Sequence, residues 1–172
     1  ETLKITTMKN IFKIAFVFAL SAGACMHVTA QTSKQTKKNE EIALIKEAVD
    51  NQSYVFNAQS ILPMSGITRQ LNGGYDLSIT HDKVNSFLPY MGRIYTPPID
   101  PANGPLRFTS TDFVYAVKEQ KKGGWQVSIK PKDVSTVREF ILSISTDGYA
   151  TLQVSGNDRQ PVTFYGYISE NA

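Results

Sequence analysis

The chain predicts an α+β fold that is mainly β: an antiparallel meander of about seven or eight strands covered by one N-terminal helix. Two patterns point there. From residue 54 onward apolar side chains recur at every second position, and only "EEIALIKEAVD" (residues 40–50) repeats at helical spacing. A third is the set of Gly-, Asn- and Asp-containing turns that separates the alternating segments at hairpin distances.

The first 30 residues read as a leader rather than as structure. Met8 opens "MKNIFKIAFVFALSAGACMHVTAQ", with Lys9 and Lys13 before a short apolar run over residues 14–22. Val28, Thr29 and Ala30 place small residues where a signal peptidase reads, with cleavage expected between Ala30 and Gln31. The run is too short for a stable bilayer span. Cys25 follows Ala22-Gly23-Ala24 and offers an alternative, lipidation at a lipobox, although Ala22 stands where a larger aliphatic is usual. Export to the periplasm is therefore expected, with an outer-membrane lipoprotein as the alternative and a lipid at Cys25 as the sole membrane contact.

Residues 31–39, "QTSKQTKKN", read as a polar tether, leaving 40–172 as one β-rich domain. In residues 40–50, Ile42, Ile45 and Val49 share a face, with Leu44 and Ala48 beside it, and Glu40 and Glu41 are expected in the first helical turn. Strand faces follow: Tyr54, Phe56, Ala58; then Tyr75, Leu77, Ile79; then Phe113, Tyr115, Val117. Trp125, Val127, Ile129 and Phe140, Leu142, Ile144 continue the pattern, before Leu152, Val154 and Val162, Phe164, Ile168. Strict alternation means one buried and one wet side per strand.

Turn chemistry fixes the pairings. In "ISTDGYATL" a two-residue loop would oppose Ile144 to Thr151. A three-residue loop, Thr146-Asp147-Gly148, opposes Ile144 to Ala150 and Leu142 to Leu152, and sets Gly148 at the left-handed position. The Gly123-Gly124 turn predicts Tyr115 opposite Val127, and "SGNDRQP" predicts Leu152 opposite Phe164.

Composition excludes several functions. The apolar (41%) and charged (19%) fractions are those of a globular chain. From Gln31 onward 15 Lys and Arg stand against 14 Asp and Glu, which is no electrostatic footprint for nucleic acid. Past the leader there is no cysteine and one histidine, His81. Cys–His zinc sites, cysteine nucleophiles and disulfides are thereby excluded. His81 reads as an exposed turn residue beside Asp82. Neither "NGGYD" nor "DPANGP" carries a phosphate-loop or calcium-loop pattern. Asp76, Asp112 and Glu139 fall on wet strand faces, where solvated acids are ordinary. No catalytic residue, metal or cofactor is expected.

Two features could bind. One is the wet face bearing Thr151, Gln153, Thr163, Tyr165 and Tyr167, with Gln126 and Ser128. The other is "FLPYMGRIYTPP" (residues 87–98), whose prolines exclude a regular central strand. There Tyr90, Arg93 and Tyr95 are the candidate binding residues. The competing structural reading has Arg93 pair with an acid such as Asp112 to lock the loop, and Tyr90 and Tyr95 cap the core.

The segments "YVFNAQSILP", "LSITHDKVNSFLPYMGRIYTPP", "LRFTSTDFVYAV", "KKGGWQVSIKPKD" and "ILSISTDGYATLQVSGNDRQPVTFYGYI" together resemble an exported family of Bacteroidetes-type bacteria, domain of unknown function 4251. The most specific block is Leu88, Pro89, Tyr90, Gly92, Arg93 and Tyr95, joined by Gly123, Gly124, Trp125, Phe164 and Gly166; Ile94 is a departure. The resemblance spans residues 53–168 and implies envelope location and a β-rich domain, with no assigned activity or substrate. The expected function is a non-enzymatic binding or interaction module acting on an envelope protein or ligand. The alternatives are a carboxylate-dependent hydrolase of envelope polymers, and an assembly component acting by strand addition.

Overall fold

The computed structural model describes residues 28–95 and 106–171, with side chains from residue 35 onward. Among the described residues one helix, α1 (Val28–Asp50), precedes nine strands. These are β1 (Tyr54–Pro63), β2 (Arg69–Ile79), β3 (Val84–Leu88), β4 (Leu106–Ser110), β5 (Phe113–Glu119), β6 (Trp125–Pro131), β7 (Val137–Ile144), β8 (Tyr149–Gly156) and β9 (Val162–Glu170). The chain divides into two units, Glu1–Glu40 and Glu41–Ala172, and the second contains every strand.

All nine strands belong to one antiparallel sheet in the order β4-β3-β2-β1-β9-β8-β7-β6-β5. The last five form the expected meander. The earlier strands extend that sheet through the β1–β9 pairing rather than forming a separate cover. The strand count exceeds the expectation because β3 and β4 were not foreseen. Both are five residues long, and each turns a serine inward, Ser86 and Ser110, where a periodicity argument looks for an apolar residue. Each buried hydroxyl is satisfied: Ser86 Oγ donates to the Leu106 carbonyl at 2.7 Å, and Ser110 Oγ to the Asp133 carboxylate.

The two strands at opposite ends of the order, β4 and β5, are consecutive in the chain with only Thr111 and Asp112 between them. Alternating strand directions make both run the same way. They are therefore two halves of one bent strand, the first paired to β3 and the second to β6. The sheet accordingly rolls into a nearly closed barrel. Contacts across the roll agree: Phe108 of β4 stacks on Phe140 of β7 at 6.0 Å, and Tyr54 of β1 meets Tyr115 of β5, hydroxyl to hydroxyl, at 3.2 Å. Asp133 clips the bend, its carboxylate accepting from Ser110 Oγ and from the Thr111 and Asp112 amides at 2.8 and 3.3 Å.

The interior is filled by side chains, as the small radius of such a barrel allows. Phe56, Leu77, Ile129, Phe140, Leu142, Leu152 and Phe164 are all fully buried, each stabilising by about 1.5–3 kcal/mol. The alternation in β1 is interrupted by a bulge between Ala58 and Ser60 that leaves the exposed Gln59 without a ladder partner and makes Ser60 and Ile61 both buried. Opposite it, a Cβ on Gly166 would sit 1.9 Å from the Asn57 carbonyl oxygen, so only glycine fits.

The predicted β7–β8 turn is observed: Ser145 and Tyr149 close it, Ile144 opposes Ala150, Leu142 opposes Leu152, and Gly148 has φ +81°. Leu152 opposes Phe164 as expected. At the β5–β6 turn the register differs. Tyr115 opposes Ile129 and Val117 opposes Val127, two residues from the prediction with the same side facing inward. The cause is a three-residue loop closed by Gln120 and Gly124, the same form as the β7–β8 turn.

The helix is longer than predicted. It begins at Val28, so residues 31–39, the polar tether of the sequence reading, are helical, and Glu40 and Glu41 lie well past its first turn. Ile42, Ile45, Ala48 and Val49 face the core, whereas Leu44 is exposed. Its end is capped by backbone: the Gln52 amide donates to Val49 O at 3.2 Å and the Ser53 amide to Ala48 O at 2.9 Å, with Gln52 left-handed at φ 52°. Tyr115 Oη also donates to Val49 O, at 2.8 Å, which ties the helix end to β5.

Candidate ligand-binding grooves

The residues after β3 are shaped by their own chemistry. Pro89 ends the ladder, having no amide hydrogen to give. The chain then folds so that the Tyr90 ring lies back over Gly92, where a Cβ would stand 2.7 Å from the phenol oxygen. Tyr90 Oη reaches the carbonyls of Arg93 and Gln160, both at 3.0 Å. Burial is the main cause pushing its pKa up. Residues 93–95 run against the β8–β9 connection: Ile94 bridges Arg159, the Tyr95 amide donates to Asp158 O at 2.7 Å, and the Gln160 amide to Arg93 O at 3.1 Å.

The arginine that locks this corner is Arg159, not Arg93. Its side chain is 1% exposed, and Nε and Nη2 donate to the two Asp158 carboxylate oxygens at 2.8 and 3.0 Å. The guanidinium carbon stands 5.4 Å from the Tyr90 ring centre. Hydrogen bonding from Arg159 holds the Asp158 pKa below the usual carboxylate range. Nothing in "SGNDRQP" marked Arg159, because an Asp-Arg pair in a turn ordinarily reads as solvated.

Arg93 is exposed and does not pair with Asp112, whose carboxylate instead faces Lys132 at 3.4 Å. Arg93 lines a groove of about 310 Å³ with Pro63, Ser65, Arg69, Met91, Gly92 and Gln160. Neither Arg93 nor Arg69 has an ion-pair partner among the described residues. Met64 and Ile67, in the β1–β2 turn beside it, are exposed, as is Tyr95 at 63%. Tyr90, Arg93 and Tyr95 thus divide: Tyr90 is spent on holding the loop, and the other two face outward. Pro97 and Pro98 lie outside the described residues, as does Cys25; Ala30 and Gln31 fall within α1.

A second groove, of about 300 Å³, opens on the outer face of β7, β8 and β9, lined by Gln59, Ser143, Ser145, Tyr149, Ala150, Thr151, Tyr165 and Gly166. The sequence-predicted wet face is here, with Tyr165 and Tyr167 each 40% exposed; Tyr149, unforeseen, is 63% exposed and paired across from Tyr167.

Among the described residues, Asp76, Asp112 and Glu139 are not brought together as a paired site. Burial alone raises the Asp76 pKa, with no second acid acting on it. Glu139 accepts from Ser128 Oγ at 2.6 Å and lies 3.7 Å from Lys130. His81 sits exposed in the β2–β3 turn. Among the described residues no three His, Cys, Asp or Glu side chains gather as metal ligands, and no helix is long and apolar enough to cross a membrane.

Fold and surface together define a mainly β protein with an N-terminal helix and a nearly closed barrel with a side-chain-filled core, the two grooves described lying outside that core. Residues 36–168 match the family described as Domain of unknown function (DUF4251), and the chain belongs to that family. The fold is shared with the crystal structure of a DUF4251 family protein from Bacteroides eggerthii. That likeness has a TM-score of 0.57 at 14% identity, covering 76% of this chain and 87% of the other. No curated protein matches the sequence.

Proposed function

We propose that the protein is an exported envelope component that acts as a non-catalytic binding module, holding an anionic partner in the Arg69–Arg93 groove. The observation that carries this reading is a pair of exposed guanidinium groups without ion-pair partners among the described residues, Arg69 at the start of β2 and Arg93 on a loop that a buried arginine and a tyrosine hold in place. A planar guanidinium fork suits a carboxylate or phosphate. Exposed Met64 and Ile67 beside it supply apolar contact for whatever bears that anion. The leader at residues 8–30 supports export to the periplasm, with anchoring through Cys25 as the alternative.

Affinity capture from a membrane extract tests the reading, comparing the natural chain with an Arg69→Ala/Arg93→Ala variant. Loss of a captured species by the folded variant is expected; an unchanged set refutes the groove. Mass spectrometry of the mature chain from a cell-envelope fraction is expected to start at Gln31. A diacylated Cys25 would select the anchored form, and an intact leader in the cytosol would refute export. A second reading, strand addition, draws on β5, which among the described residues pairs only with β6 and leaves Val114 and Val117 exposed.

A further inference from the structure

We infer that the outer face of β8 and β9 is a binding site for an uncharged polysaccharide. It lies apart from the arginine groove and does not depend on it. Tyr149, Tyr165 and Tyr167 stand on the outward side of two paired strands, with Tyr149 opposite Tyr167 and Thr151 opposite Tyr165. Strand geometry sets such side chains about 5 Å apart across the ladder and about 7 Å apart along it. Rings on that lattice form a platform the size of one or two sugar rings. None of the three hydroxyls is spent on another protein group among the described residues.

The chemistry of the groove selects its occupant. Every lining residue is neutral: the Gln59 amide, the hydroxyls of Ser143, Ser145 and Thr151, two tyrosines, Ala150 and Gly166. Asp147, in the adjoining turn, is turned onto Ser145 Oγ. Without a cation in the lining, phosphate, sulfate and uronate ligands have no counter-charge. Without an aliphatic anchor, an acyl chain has nowhere to bury. A pyranose fits both surfaces, because its C–H face carries slight positive charge toward the negative ring face and its rim hydroxyls exchange hydrogen bonds with amides and hydroxyls.

The site is also built in advance. The bulge at Gln59 and the glycine that lets β9 lie against β1 fix one wall of the groove in backbone. A rigid platform loses little freedom on binding, which favours weak but selective capture of a repeating polymer.

Native affinity electrophoresis of the full chain tests this, with laminarin, galactomannan, xylan and soluble starch as neutral probes and heparin and polygalacturonate as charged ones. Retardation by at least one neutral probe is expected. Tyr149→Ala and Tyr165→Ala should each weaken it about five- to tenfold, the worth of one lost ring contact, with unfolding midpoints unchanged. Arg93→Ala should leave it intact. Retardation by the charged probes alone, by none of the six, or of both tyrosine variants as strongly as of the natural chain overturns the inference. So does a protein captured on this face in the absence of glycan binding.

Discussion

The assignment of the structural lock to Arg159 rather than Arg93 can be read out in stability. Arg159→Ala removes a bidentate, charge-assisted pair of bonds to Asp158, worth about 1.5–3 kcal/mol. It also removes a cation above the Tyr90 ring, worth about 0.5–2 kcal/mol, and a stem whose Cγ lies 2.6 Å from where a Gly156 Cβ would be. The expected loss is about 3–4 kcal/mol. In urea, with a slope of about 2 kcal/mol/M, that moves the midpoint down by about 1.5–2 M. Arg93→Ala should stay within about 0.5 kcal/mol of the natural chain, as exposed substitutions do. Two further variants separate charge from packing. Arg159→Met keeps the stem and leaves Asp158 without its guanidinium, but the Asp158 side chain is 23% exposed and can rehydrate. Asp158→Asn leaves a buried guanidinium without its bidentate carboxylate, and should be the more damaging of the two. Equal losses in Arg159→Ala and Arg93→Ala, or a loss below about 1 kcal/mol in the former, would refute the reasoning.

Three other consequences are open to direct measurement. Gln52→Gly should raise stability by about 0.5–1 kcal/mol in the same urea titration, since Gln52 holds a left-handed conformation that glycine adopts freely. The Asp133 pKa is lowered, first by its hydrogen bond from Ser110 and then by the Thr111 amide, so its contribution is complete above the unfolded carboxylate pKa and is lost as pH falls through the folded one. Asp133→Asn should therefore flatten the acid limb of stability against pH below about 4, measured by thermal unfolding. Burial pushes the Tyr115 pKa up to about 12, so its stabilisation persists below the ordinary tyrosine pKa and disappears as pH rises through about 12. Ultraviolet titration should lose that late phenolate component in Tyr115→Phe.

Where side chains alternate cleanly, the sequence and the structure agree residue for residue: Tyr54 and Phe56, Leu77 and Ile79, Trp125 through Ile129, Phe140 through Ile144. The Thr146–Gly148 loop was legible because parity and left-handed geometry both select it. What was not legible involves polar groups whose partners are distant in sequence. Ser86 and Ser110 break the inward pattern, and only the Leu106 carbonyl and the Asp133 carboxylate make them tolerable there. Closure of the sheet hangs on the bend at Thr111 and Asp112, which looks like any short turn until the partners of β3 and β6 are known. Arg159 was missed for the same reason: its burial depends on Tyr90, 69 residues away by number. The binding surfaces fall between these cases. The Tyr165 and Tyr167 ladder was readable from strand parity, whereas Arg69 joins Arg93 only because the β1–β2 turn lies beside the loop after β3.

A filled barrel has a functional corollary. An eight- to nine-stranded barrel that leaves its interior open holds a ligand inside, and its binding residues then double as core residues. Here Tyr54, Phe56, Phe140 and Phe164 occupy that space, and the two grooves proposed to bind lie outside it. In the proposed reading stability and binding are carried by different side chains. Arg159, Asp133 and Tyr115 hold the frame, whereas Arg69, Arg93, Tyr149 and Tyr165 line the two grooves. The two relatives compared, at 14% identity, can then share one barrel while presenting different surfaces. Shared fold alone carries no shared ligand, and the arginine groove and the tyrosine face must each be tested on this chain.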